Sequence, residues 1–147
     1  MKVKIKKLHP DAVIPTYAKE GDAGIDLTAI RKEYDEFKNV VYHTGISIEI
    51  PRGYVGFLFP RSSNSKKNLV LSNCVGVIDS GYRGQILFKY KYLFEVHNLV
   101  GQVPIEYQRG DRVGQLIIMP YPQIEFEEVE ELSESERGEG GYGSTGK

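Results

Sequence analysis

The sequence predicts an all-β domain, a sandwich or barrel of short strands. Three observations carry this reading: apolar residues recur with period two along most of the chain, no segment holds an amphipathic helical period over several turns, and Gly, Pro, Asn and Asp punctuate the gaps. The 147 residues suffice for one domain. At this size roughly 68–70% of the unfolded surface is buried, enough for a core without disulfides.

The elements follow in chain order. Val3 and Ile5 alternate with lysines, and Ile46, Ile48 and Ile50 alternate with Ser47 and Glu49. Further apolar runs cover 55–59, 69–77, 86–96, 113–118 and 124–129. Pro51, Pro60, Pro104, Pro120 and Pro122 fall at run ends or in turns, where a missing N–H does least damage. The polar stretch 62–68 is predicted to form one short helical turn.

Residues 1–129 are read as the β domain. Beyond them, 130–147 hold only Leu132 and Tyr142 as large apolar side chains, with five glycines between Gly138 and Gly146. Such a segment buries too little surface to offset its ordering entropy, so a flexible acidic and Gly-rich C-terminal arm is expected.

Charge is unevenly spread. The chain has 19 bases and 20 acids. Two of the bases (Arg137 and Lys147) and eight of the acids lie beyond residue 124, which leaves seventeen bases and twelve acids before it, a balance of +5. This surplus suits a small polyanion and is thin for duplex nucleic acid, so no nucleic-acid partner is expected. The single Cys74 excludes a disulfide framework and a Cys-based zinc site. No apolar run approaches the roughly 20 residues of a membrane helix, and Met1-Lys2-Val3-Lys4 is not an apolar signal region. A reducing, cytoplasmic setting with no membrane partner is the expectation.

Five clusters carry chemistry. Ala23-Gly24-Ile25-Asp26-Leu27 sets one carboxylate in a small apolar stretch. Phe59-Pro60-Arg61-Ser62-Ser63 offers a guanidinium beside two hydroxyls. Residues 76–84 (GVIDSGYRG) deliver Asp79 into a glycine-punctuated turn, and Gly110-Asp111-Arg112-Val113-Gly114-Gln115 leads from a turn into a strand. The arm supplies Arg137, Tyr142, Ser144, Thr145 and approachable glycine N–H groups, which an element closing over a triphosphate would need. Residues 141–147 match the spacing Gly, four residues, Gly-Lys, but no strand pattern precedes them, so a phosphate-binding P-loop is rejected.

Taken singly, each cluster is an ordinary turn or corner. In this order they resemble the five motifs of the deoxyuridine triphosphatase (dUTPase) family, from Ala23 to Gly146. The resemblance implies a jelly-roll-like subunit, a homotrimer with active sites at subunit interfaces, and hydrolysis of dUTP to dUMP and pyrophosphate. It implies Asp79 as the catalytic base, taking a proton from a water that attacks the α-phosphorus. It implies Mg²⁺ as cofactor, held mainly by the triphosphate and touched by Asp26 through water, which accords with the absence of a dense carboxylate or His cluster. His9, His43 and His97 show no ligand spacing.

By the same resemblance Arg61, Ser62 and Gln115 contact phosphates, with Ser63 counted among the substrate-binding residues, while Asn73 with the backbone of Gly76, Val77 and Ile78 reads uracil. Tyr82 lies under the deoxyribose. Arg137, Ser144 and Thr145 close on the γ-phosphate, with Tyr142 stacked on the base and Gly143 also binding substrate. Two positions depart from the family: Tyr142 stands where Phe is usual, and Ser63 replaces the glycine of Pro-Arg-Ser-Gly. Two alternatives stand beside the hydrolase: a dCTP deaminase of the same fold, and a nucleotide-sensing interaction module. The long Gly-rich arm and the residues around Asp79 favour the hydrolase.

Overall fold

A computed structural model describes residues 1–93 and 106–141. Its regular elements are almost entirely strands: β1 (Lys4–Lys7), β2 (Ile25–Thr28), β3 (Arg31–Tyr34), β4 (Val40–His43), β5 (Ile46–Glu49), β6 (Tyr54–Phe59), β7 (Leu69–Leu71), β8 (Gly76–Ile78), β9 (Leu87–Tyr92) and β10 (Arg112–Pro120). One 3-10 helix, Ser62–Lys66, stands where the polar stretch predicts a helical turn. Among the described residues no helix is long and apolar enough to cross a membrane.

Two four-stranded antiparallel sheets, ordered β2-β10-β6-β8 and β3-β4-β9-β7, enclose the core, and β1 pairs with β5. Leu27, Leu58, Val113 and Leu116 from the first sheet join Val40, Tyr42, Leu69, Phe88 and Tyr90 from the second in one apolar cluster. This is the jelly-roll-like sandwich expected from period-two patterning, where one face of each strand meets the opposite sheet. The approach is close at Gly114, where a Cβ would fall 2.0 Å from Cε1 of Phe88.

Tyrosines fill the centre and find partners for their hydroxyls. Tyr90 donates to the Val113 carbonyl at 2.6 Å, linking the sheets, and Tyr42 accepts from the Tyr107 N–H at 3.1 Å. Burial pushes both phenols well above their ordinary range, so they stay protonated.

The alternating pattern misses β2, β3 and β4. Val40, Val41 and Tyr42 are all buried, so β4 reads as a short continuous apolar run. β3, with the sequence RKEY, is a mostly exposed edge strand without apolar alternation. The run at 69–77 splits into β7 and β8, which belong to different sheets. The corner between them is a turn closed by the Cys74 N–H on the Leu71 carbonyl at 2.9 Å. Cys74 there takes φ +60, which a period-two pattern cannot signal. The last run, 124–129, forms no strand, and Ile124 and Phe126 are 64% and 90% exposed.

Candidate active site

Three separated segments meet at one cleft of about 330 Å³, lined by Asp22, Gly24, Asp26, Arg61, Ser62 and Gln115, among others. The pairing of β10 with β2 and β6 brings them together: Gln115 lies opposite Asp26 on one side and Phe59 on the other. A bulge between Arg112 and Gly114 shifts the register just before Gln115. Such a bulge re-aims the side chains that follow it. Gln115 donates from Nε2 to the Pro60 carbonyl at 3.0 Å. Gly24 leaves room for this amide, since a Cβ there would fall 2.1 Å from Gln115 Oε1.

Asp26 is the electrostatic centre. Arg61 donates from Nε to Oδ1 at 2.8 Å, and Arg112 from Nη1 to Oδ2 at 3.1 Å. Asp26 thus lies between two guanidinium groups, and Asp22 adds a second carboxylate to the cleft. Asp26 and Arg61 side chains are each about 24% exposed, so the pair is only partly screened by water. Arg61 also reaches the Ser63 hydroxyl from Nη1 at 3.3 Å. A second cleft of about 300 Å³ shares Arg61 and adds Lys67, Asp111 and Arg112. The assigned motif residues did not include Arg112 or Lys67. Arg112 stands three residues before Gln115 in a stretch already singled out, so its position was the available signal; Lys67 carried none.

The other expected residues lie elsewhere in the chain. Asn73 and Gly76 line a third cleft of about 310 Å³ with Leu58, Leu71, Phe88 and Lys89. Val77, 59% exposed, and the half-buried Ile78 complete β8. Asp79 follows β8 on an exposed turn closed by the Tyr82 N–H on the Asp79 carbonyl at 3.0 Å. Arg83 braces this turn, donating from Nη1 to the carbonyls of Ser80 at 2.7 Å and Tyr82 at 2.9 Å. Neither Asp79 nor Tyr82 lines the cleft around Asp26. Arg137 donates from Nε to the Gly140 carbonyl at 2.9 Å. Tyr142, Gly143, Ser144 and Thr145 lie outside the described residues.

Among the described residues no group of three or more His, Cys, Asp or Glu side chains is placed to hold a metal ion. The donor set still fits Mg²⁺ brought in by a polyphosphate. That ion keeps several waters and needs few protein ligands, and each oxygen of Asp26 retains a lone-pair site beyond its single guanidinium contact.

Fold and cleft define a class: an all-β domain whose paired strand ends present a carboxylate clasped by guanidinium groups. The sequence model described as dUTPase matches residues 10–146, and the chain belongs to that family. The deoxyuridine 5'-triphosphate nucleotidohydrolase of Clostridium tetani is 40% identical over 99% of this chain and 97% of its own. The dUTPase of Staphylococcus bacteriophage 80alpha, solved with dUPNHPP, is 33% identical with a TM-score of 0.81, covering 99% of this chain and 98% of that one. A mutant dUTPase from phage phi11 of S. aureus, described with a coordinated structural Mg(II) ion, is 28% identical with a TM-score of 0.73 over 89% of this chain and 98% of that one.

Proposed function

We propose that this protein hydrolyses dUTP to dUMP and pyrophosphate. The observation that carries the reading is the meeting of Asp26, Arg61, Ser62 and Gln115 at one cleft, although they stand up to 89 positions apart in the chain. A guanidinium, a hydroxyl and an amide together satisfy several phosphate oxygens without a cage of lysines. The Asp26 and Ser63 contacts hold Arg61 by Nε and Nη1, leaving its remaining N–H groups for an anion.

Asp79 acts as the general base. It takes a proton from a water that attacks the α-phosphorus; the bond from that phosphorus to the bridging oxygen breaks, and pyrophosphate leaves. A carboxylate is a weak base, but phosphoryl transfer depends more on positioning and charge neutralisation than on basicity. Bound to the triphosphate, Mg²⁺ would supply part of that neutralisation, with Asp26 reaching it through water. Asn73 and the backbone of Gly76, Val77 and Ile78 read uracil, and Tyr82 lies under the deoxyribose. The arm closes with Arg137, Ser144 and Thr145 on the γ-phosphate and Tyr142 on the base, Gly143 binding substrate between them.

The working form is a homotrimer. Two observations support this: the Asp79 turn stands apart from the Asp26 cleft within one subunit, and Ile124 and Phe126 are left uncovered.

Pyrophosphate release from dUTP, dTTP, dCTP and UTP, measured in parallel with and without Mg²⁺, tests the proposal. Release from dUTP alone, abolished by chelation, is the expected result. Equal consumption of dTTP or UTP, or full activity in chelator, overturns it.

A further inference from the structure

We propose that Gly84 is a positioning residue for sugar selection: by carrying no side chain it seats the ring of Tyr82, and a larger residue displaces that ring and relaxes the discrimination between deoxyribose and ribose. The proposal rests on the reading of Tyr82 as the surface beneath the sugar.

The geometry is specific to one neighbour. A Cβ on Gly84 would lie 2.3 Å from the Tyr82 Oη, 2.5 Å from Cζ and 2.9 Å from Cε2, and no other residue comes nearer. Real Cβ contacts do not approach this closely. The Gly84 backbone is outside the left-handed region, so any L residue could adopt it; glycine is needed there only for space. Gly81, in the same turn, has nothing within 4 Å of its Cβ position. The tight contact is thus a property of position 84 and the ring.

A second contact fixes the far end of the ring. Tyr82 donates its hydroxyl to the Gln85 carbonyl at 3.1 Å. That carbonyl is held in place by the body of the subunit. The Gly45 N–H donates to Gln85 Oε1 at 3.1 Å, and the next residue, Ile86, donates its N–H to the Ile46 carbonyl at 2.9 Å. The hydroxyl end of the ring therefore lies against Gly84, with its hydroxyl bonded to the segment that leads into β9.

Exposure decides what gives way. Tyr82 is 43% exposed, so a methyl group at position 84 would swing the ring toward solvent and leave the backbone where it is. The fold loses little. The sugar-facing surface is lost, and with it the steric exclusion of a 2′-hydroxyl.

The test compares kcat/KM for dUTP and UTP in the full-length protein, its Gly84→Ala and Tyr82→Ala variants, and the double variant. Gly84→Ala is expected to lower the dUTP-to-UTP ratio by about tenfold or more, the scale on which a pocket rejects an added hydroxyl. In the Tyr82→Ala background the second change should alter the ratio no further, because no ring remains to displace. If Gly84→Ala alone fails to fold, the double variant should fold and match Tyr82→Ala. A folded Gly84→Ala with an unchanged ratio, or a double variant that misfolds or loses more discrimination than Tyr82→Ala, overturns the proposal. A wild-type ratio in Tyr82→Ala overturns instead the reading of Tyr82 on which it rests.

Discussion

Arg61 and Asp26, 35 residues apart in the chain, lock together through a 2.8 Å bond from Nε to Oδ1, with Arg112 on the other oxygen. Removing the charge while keeping the shape isolates what this clasp does. Asp26→Asn is expected to lower kcat/KM for dUTP by roughly tenfold or more, because the amide oxygen can accept from only one of the two guanidinium groups, the amide NH2 faces the other as a second donor, and Arg61 loses its alignment. Steady-state pyrophosphate release checks this. Unchanged kinetics would separate the cleft from the reaction.

Asp79→Asn removes the base and keeps the shape of its exposed turn. Turnover should fall to background while dUTP binding stays within roughly tenfold of wild type. Calorimetric titration beside a turnover assay distinguishes this from a binding defect. Full activity would remove Asp79 from the chemistry.

Ending the chain after Glu136 deletes Arg137 and everything assigned to the closing arm. Dichroism and thermal melting should show the β body intact while dUTP turnover collapses. Normal hydrolysis by the shortened chain would refute the closing role of the arm.

Gly114→Ala tests the packing between the sheets. The added methyl would meet Cε1 of Phe88 at 2.0 Å, and Phe88, 1% exposed, has nowhere to swing. Overpacking of this kind costs about 1–3 kcal/mol, against about 0.4–1 kcal/mol regained from reduced chain entropy in the unfolded state. The melting temperature should drop by several degrees. An unchanged melting temperature would mean that the sheets separate more easily than their packing implies.

Asp35 sets an acid limit on stability. Burial raises its pKa, but hydrogen bonds from the Asn39 side chain and backbone and the ammonium of Lys89 outweigh it and bring it down to about 2. A depressed carboxylate stabilises the fold above its unfolded value of about 4, and that contribution is lost as the pH falls toward about 2. Melting temperatures of the wild type and Asp35→Asn, measured from pH 5 to pH 2, should converge below pH 4. A constant gap would mean that the carboxylate charge has no part in holding the β3–β4 turn.

Much of the architecture was legible because burial on one face of a strand leaves a period-two trace. Ile46, Ile48 and Ile50 show it clearly, as do residues 113–118. β4 was not legible, since burial of Val40, Val41 and Tyr42 together erases the alternation. The corner at Cys74 was hidden because it depends on a single positive φ, and the run at 124–129 kept the pattern without becoming a strand. Of the site, Asp26, Arg61 and Gln115 could be named from their motifs, but Arg112 could not be given a task until its distance to Asp26 was known.

The order of residues alone determined the all-β class, the five clusters and the polar groups they contain, because patterning and local composition are written along the chain. Tertiary structure decided which of those groups meet. Asp26 and Gln115 face each other only through the register of β2 with β10, and Tyr82 lies on Gly84 only because the turn folds it back. Contacts of this kind depend on distances in space, fixed by sheet pairing and close packing, and separation along the sequence does not encode them.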